Sequence, residues 1–224
     1  MSRILTAALL FAFATTLRAA EGITIDKDKK SVSVDAKVAL RKLPKLDQVY
    51  PIEVIACWGH DRKDGAGQKA HETILTIDVL PSDVHKALES VGLKPGTPVK
   101  GGETAGVGPE VNVFIEFKGE GGAIRKLTMD KVLMDPKSKA PFPKSVKFRF
   151  TGSVMSKIDP NKSETKYGAD ITGTLIAVYP VTDETVCQTS LTMKEEKYLK
   201  LEANSAVLPP AGTPVKLVLE ATGK

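Results

Sequence analysis

The ten residues SVSVDAKVAL, positions 31 to 40, alternate without a slip. Val32, Val34, Ala36, Val38 and Leu40 fall on one face, and Ser33, Asp35 and Lys37 on the other. Side chains of an extended chain point to opposite faces in turn, so this pattern suits a strand with one side on a core and the other in water. It does not suit a helix, whose apolar positions recur every three or four residues. The same period appears in PIEVIACW, where Ile52, Val54, Ala56 and Trp58 share a face opposite Cys57. It returns in EVNVFIEFK with Val111, Val113, Ile115 and Phe117, and in SVKFRFTG with Val146, Phe148 and Phe150. DITGTLIAVY and VKLVLE read as further strands, and GITID pairs with the first across the charged turn KDKK. TILTIDVL is apolar on both faces, as expected of a central strand covered on both sides.

One helix is well signalled, in PSDVHKALESVGLKPG. Ser82 serves as N-cap, Asp83 suits the positive end of the helix dipole, and Gly92 stops the helix, which gives a span of about 83–91. Val84, Leu88 and Val91 then share the face that packs on the sheet. AIRKLTMDKVLM fits either a strand or a short helix. The glycine-, proline- and charge-rich stretches between elements, such as GHDRKDGAGQK and GGETAGVGPE, read as long loops. The pentapeptide GTPVK occurs twice, at 96–100 and 212–216, and reads as one turn into a strand used twice. At 224 residues and 42% hydrophobic content the chain can bury a real core. The expected fold class is α+β: a mixed, mainly antiparallel sheet in a single domain, with one clear α-helix and several long loops.

The first residues, MSRILTAALLFAFATTLRAA, combine Arg3, an apolar run from Ile4 to Leu17, and small residues at Ala19 and Ala20. That is the layout of an export signal, and the run is shorter than the roughly 20 residues a membrane span needs. Residues 1–20 are therefore expected to be a signal peptide and 21–224 a single exported domain, periplasmic or secreted, with no later apolar run long enough to span a bilayer. In an oxidising compartment two lone cysteines are expected to pair. A Cys57–Cys187 disulfide would close a loop of about 130 residues and stabilise the fold by about 3–5 kcal/mol.

Losing the signal removes Arg3 and Arg18 and leaves 30 basic against 27 acidic residues, a formal charge of +3. With the lysines interleaved with acids and only Arg41, Arg62, Arg125 and Arg149 remaining, nucleic acid is not an expected partner. The twelve aromatic residues sit mostly at apolar strand positions, which argues against a carbohydrate platform. No nucleophile elbow, phosphate loop or dinucleotide fingerprint is present.

Two of the three histidines flank the strand TILTIDVL. His71 stands beside Glu72, and His85 follows Asp83. These are ligand types suited to zinc or a similar ion. Adjacent side chains of a regular strand face opposite ways, however, so His71 and Glu72 can meet only if the chain bends there. A strand running from His71 to the helix also separates His71 from His85 by some 23 Å. As surface groups, His85 would pair with Glu89 one turn on, and His71 with a nearby backbone group.

HETIL, PSDVHKAL, GLKPGTPV, FTGS, YGADITGTLIAVY and LPPAGTPVKLVL occur in the order seen in the YdjY-like domain of exported bacterial proteins. The chain resembles that family from approximately Gly22 to Ala221. Some relatives carry a tryptophan in the segment before GS, where this chain has VKFRF; if that aromatic serves binding, Phe148 or Phe150 would have to substitute for it. The resemblance implies export and a single domain, and supplies no reaction. The expected function is a non-catalytic binding or structural module of the periplasm or cell exterior, with no catalytic or cofactor-binding residue required and an envelope or extracellular partner. The alternative is a metal-binding protein or metal-dependent enzyme holding a zinc-like ion on His71, Glu72 and His85.

Overall fold

A computed structural model describes residues 20–61, 67 and 69–223. The expected signal peptide, residues 1–20, therefore lies outside the described residues apart from Ala20. The strands are β1 (Ile23–Asp26), β2 (Ser31–Val38), β3 (Val54–Trp58), β4 (Thr73–Ile77), β5 (Glu110–Lys118), β6 (Ile124–Thr128) and β7 (Leu133–Met134). They continue with β8 (Phe148–Phe150), β9 (Met155–Lys157), β10 (Thr165–Tyr167), β11 (Thr174–Ala177), β12 (Cys187–Thr189), β13 (Glu202–Ala203) and β14 (Pro214–Ala221). The helices are α1 (Pro81–Ser90) and three single turns, α2 (Met129–Val132), α3 (Ala169–Thr172) and α4 (Met193–Glu196).

The molecule is mostly β and mainly antiparallel, and its main sheet closes on itself. Around the ring the order is β2, β14, β5, β8, β12, β11, β3, β4 and back to β2, an eight-stranded barrel. The β3–β4 and β11–β12 pairs are parallel. Closure depends on the length of β2. Its first half pairs with β1, from Ser31 to Val34, and its second half pairs with β4, where Ala36 faces Ile77 and Val38 faces Leu75. β5 divides one edge in the same way, between β8 at Glu110–Val111 and β6 at Phe114–Lys118. The mainly antiparallel sheet is as expected from sequence; its closure into a barrel was not foreseen, because alternation fixes which face is buried but not which strand lies beside which.

Most of the alternating faces fall as expected, with two exceptions: the alternation slips at the end of β2, where Ala39 is buried and Leu40 exposed, and Val54 packs beside Cys57 and not opposite it. Val32, Val34, Ala36 and Val38 join Val111, Val113, Ile115, Phe117, Phe148 and Phe150 in one core, while Asp35 and Lys37 point to solvent. Each large apolar side chain buried there stabilises the fold by about 1.5–3 kcal/mol relative to exposure. β4 is an interior strand, buried on both faces and paired on both edges. The ambiguous stretch 123–134 resolves into β6, then α2, then β7, so both readings apply to different parts of it.

Helix α1 starts two residues earlier than its sequence signals suggest. Leu80 occupies the N-cap position, Pro81 opens the first turn, and Ser82 makes no side-chain cap. The cap comes from elsewhere in the chain: Asp170 of α3 accepts a hydrogen bond from the Ser82 amide at 2.8 Å. A buried carboxylate at the helix N-terminus satisfies an orphan amide and the dipole together. Val84, Ala87, Leu88 and Val91 join the barrel core. The helix packs on β1, β2 and α3, and its His85 reaches the ring of Phe150 on β8, three strands round from β2. It therefore lies over one end of the barrel.

Trp58, at the end of β3, ties these parts together. Its indole donates to the Val79 carbonyl at 2.7 Å, and its amide donates to the Gly173 carbonyl at 3.0 Å. Gly173 has φ +73°, and a Cβ there would lie 2.5 Å from the indole ring. Gly173→Ala should therefore cost about 3 kcal/mol through overpacking and a left-handed backbone, read as a fall in the urea midpoint. An unchanged midpoint would show that Trp58 is not held this way.

Candidate functional site

The residues ahead of β4 form a single 3₁₀ turn, Ala70–Glu72, in place of extended chain. That bend removes the obstacle to contact between neighbours, and His71 Nε2 lies 3.0 Å from Glu72 Oε1. The other Glu72 oxygen takes the Lys69 ammonium at 2.6 Å, and the same ammonium reaches Glu53 Oε2 at 3.1 Å. Burial works against the Lys69 charge, but the hydrogen-bonded carboxylates of Glu72 and Glu53 outweigh it and raise its pKa. Burial raises the Glu53 carboxyl, Lys69 pulls it down, and the Glu72 charge adds to the rise. Tyr50 meets His71 edge-on at 4.9 Å between ring centres.

Beneath this cluster Arg41 acts as a staple. Its guanidinium pairs with Glu202 at 2.7 and 3.3 Å and donates to the carbonyls of Tyr50, His71 and Thr73. The planar fork joins the 39–50 segment, the start of β4 and β13 through one side chain, a role a lysine could not fill. The arrangement can hold charge in fixed places. A cation is already present in it, since Lys69 bridges the two carboxylates.

His85 lies in a different place. Its Nδ1 is 2.7 Å from the Tyr167 hydroxyl, its Nε2 is 3.6 Å from Glu89, and its ring stands edge-on to both Phe150 and Tyr167. His71 and His85 belong to networks at opposite ends of β4, so the structure brings together two of the three expected ligands and leaves His85 apart. His60 is exposed. Among the described residues no three histidine, cysteine or acidic side chains converge as a metal site.

The expected disulfide is absent: Cys57 and Cys187 are free, buried thiols. Strand β11 runs between them, with Ile176 paired to Ala56 on one side and to Cys187 on the other. Two strand spacings make about 9.6 Å, beyond the roughly 7 Å between Cα atoms that a disulfide tolerates. They also face different ways. Cys187 belongs to the barrel core, whereas Cys57 packs with Val54 and Ala70 in a small outer cluster. Burial pushes the Cys57 thiol up to about 12 and raises Cys187 as well, so both stay protonated and unreactive near neutral pH.

Sequence reading missed a groove of about 1010 Å³. It lies where β2, β14, β5 and the end of β4 come side by side, at residues 35–37, 214–216, 116–118 and 76–79. Val79, Phe117, Val215 and Ile124 supply apolar surface, and Lys37, Lys216, Glu116 and Asp78 supply charge around it. Ile124 is 63% exposed, far above what a core position shows. Six separated segments build this surface, and the exposed apolar Ile124 in a charged strand was the one local signal.

The YdjY domain matches residues 23–220 of the chain. The protein belongs to the YdjY-domain family. No curated protein and no solved structure matches it. Within this YdjY domain, phrases far apart in sequence converge on His85. PSDVHKAL supplies α1, and Tyr167 and Asp170 come from YGAD. FTGS supplies Phe150 and Gly152, and a Cβ on Gly152 would lie 3.0 Å from Pro95 of LKPG and 3.4 Å from the His85 ring. The same convergence explains why the helix end and the barrel rim hold together.

Burial lowers the His85 pKa below the ordinary 6.5, with Glu89 opposing and Lys86 assisting. Burial also raises the neighbouring Tyr167, which therefore stays a phenol. A histidine whose folded pKa is depressed takes a proton more readily when unfolded, so stability falls as pH drops below about 6.5. Urea midpoints measured from pH 7 to pH 5 should fall, and His85→Gln should flatten part of that slope. Parallel slopes would mean that His85 is not buried against Tyr167 as described.

Proposed function

We propose that this YdjY-domain protein is an exported, non-catalytic binding module, residues 21–224 forming one domain, that takes an apolar ligand in the groove between β5 and β4. The observation that carries this reading is the groove itself, about 1010 Å³, where exposed Ile124 and the edges of the buried core residues Val79, Phe117 and Val215 meet charged side chains such as Lys37, Lys216 and Glu116. Its shape suits an elongated apolar ligand with a polar or charged end that the rim can meet. The leader-like start of the sequence supports export.

The described chemistry fits a binder better than a catalyst. Both thiols are buried with raised pKa values, the ammonium of Lys69 is held by two carboxylates, and His85 is bonded to Tyr167. Catalytic groups usually keep one position open toward substrate, and these groups are turned to one another.

The test uses 8-anilinonaphthalene-1-sulfonate, an apolar dye with one anionic end, on the chain beginning at Glu21. The folded protein should bind it, and Ile124→Asp, at an exposed position that leaves folding intact, should weaken binding by about fivefold or more. Equal affinity of the two proteins, with native near-ultraviolet circular dichroism in both, would remove the groove as the binding site.

A further inference from the structure

Closing the barrel leaves two strands of the main sheet outside the ring, β1 and β6, each paired on one edge only among the described residues. β1 packs against α1 and buries Ile23 and Ile25. β6 has no such cover: Ile124, Arg125, Lys126 and Thr128 are exposed, and only Leu127 is half-buried. At the hairpin the Gly119 amide donates to the Ala123 carbonyl at 2.8 Å, and the register sets Lys118 opposite Ile124. Bonded and non-bonded pairs alternate along an antiparallel ladder, so Arg125 and Leu127 bond to β5, while the amides and carbonyls of Ile124 and Lys126 point away from it. An open row of this kind is a template for another strand. We propose that the free edge of β6 is a docking site for an extended, acidic segment of a partner polypeptide, which adds to the sheet as a further strand.

Charge selects this occupant. The strand, IRKLT, carries two cations and no acid, with Lys118 opposite its first residue and Lys131 in the helical turn that follows it. Lys118, Arg125 and Lys131 are exposed and meet no carboxylate among the described residues. An acidic segment gives these cations partners, because opposite charges across a strand pair attract. A second copy fits less well, since a two-fold pairing centred on the strand sets Lys126 against Lys126. Lysine often guards an open edge, but Lys126 is turned away from this one. Its ammonium lies 4.0 Å from the centre of the Phe114 ring, 3.5 Å from Glu116 and against Glu220, so it leans back over β5 and β14. Arg125 rests on the Phe117 ring of β5 at 5.5 Å and stays exposed. The proposal goes beyond ligand binding in the groove, since it uses the backbone edge of β6 and not the apolar lining.

The experiment is amide-resolved NMR of the isotope-labelled full-length chain, titrated with the peptide acetyl-TVEEVT-amide and, in parallel, with acetyl-TVKKVT-amide. The acidic peptide should shift the Ile124 and Lys126 amides and slow their hydrogen exchange by about tenfold at saturation, with little change in exchange at Arg125 and Leu127, which already bond to β5. The basic peptide should bind at least about fivefold more weakly, and Arg125→Glu, at an exposed position, should weaken binding of the acidic peptide by about fivefold. No response of the Ile124 and Lys126 amides up to millimolar peptide, or a response confined to other residues, overturns the proposal. Equal affinity for the two peptides overturns the acidic partner. Protection of the same amides that rises with protein concentration alone overturns it in favour of a second copy.

Discussion

The contact on which the rest of this structure depends is the short antiparallel ladder between the second half of β2 and β4. Only three residue pairs form it, from Ala36–Ile77 to Val38–Leu75. Without them the main sheet would be an open ribbon with β1 at one end and β4 at the other, and both would present unpaired edges. With them every barrel strand has two neighbours, and the interior becomes a closed core filled by alternate residues of all eight strands. The ladder continues past the strand end, where the Ala39 amide donates to the Ile74 carbonyl at 2.8 Å.

Closure also sets where chemistry can lie. β4 enters the barrel from the 3₁₀ turn that carries His71 and Glu72, and leaves it toward α1, which carries His85. The two histidines are therefore assigned to opposite ends of one strand, each with its own partners. At the first end charges are paired around Lys69 and Arg41; at the other, His85 and Tyr167 join the helix to the barrel rim. The groove forms beside the closing ladder, where β1 and β4 share one edge of β2 and Gly22 and Val79, close enough that a Cβ on Gly22 would lie 3.0 Å from Val79, both line it.

How much of this could be read from the sequence depended on the range of the interaction. The faces of β2, β5 and β8 were legible because alternation is local and follows from the pleat. The β1–β2 hairpin was legible for the same reason. The cap of α1 was not, since Asp170 stands 88 residues beyond the amide it accepts from. The cysteine pairing failed on strand order: nothing near Cys57 or Cys187 announces that β11 lies between them. The repeated GTPVK shows the limit well. At 212 it turns the chain into β14 with Gly212 at φ +83°, whereas at 96 it makes a single bridge from Thr97 to Val107. The pair His71–Glu72 was half legible, because the need for a bend was clear and the presence of the turn was not.

Hydrogen exchange of the native protein tests the closing ladder most directly. If closure holds the barrel together, the Ala39 amide should open only with the whole molecule, at the same free energy and with the same denaturant dependence as the amides of Leu217 and Leu219 in β14. Exchange of Ala39 at a clearly lower free energy, insensitive to denaturant while β14 stays protected, would contradict this account and leave the sheet open between β2 and β4.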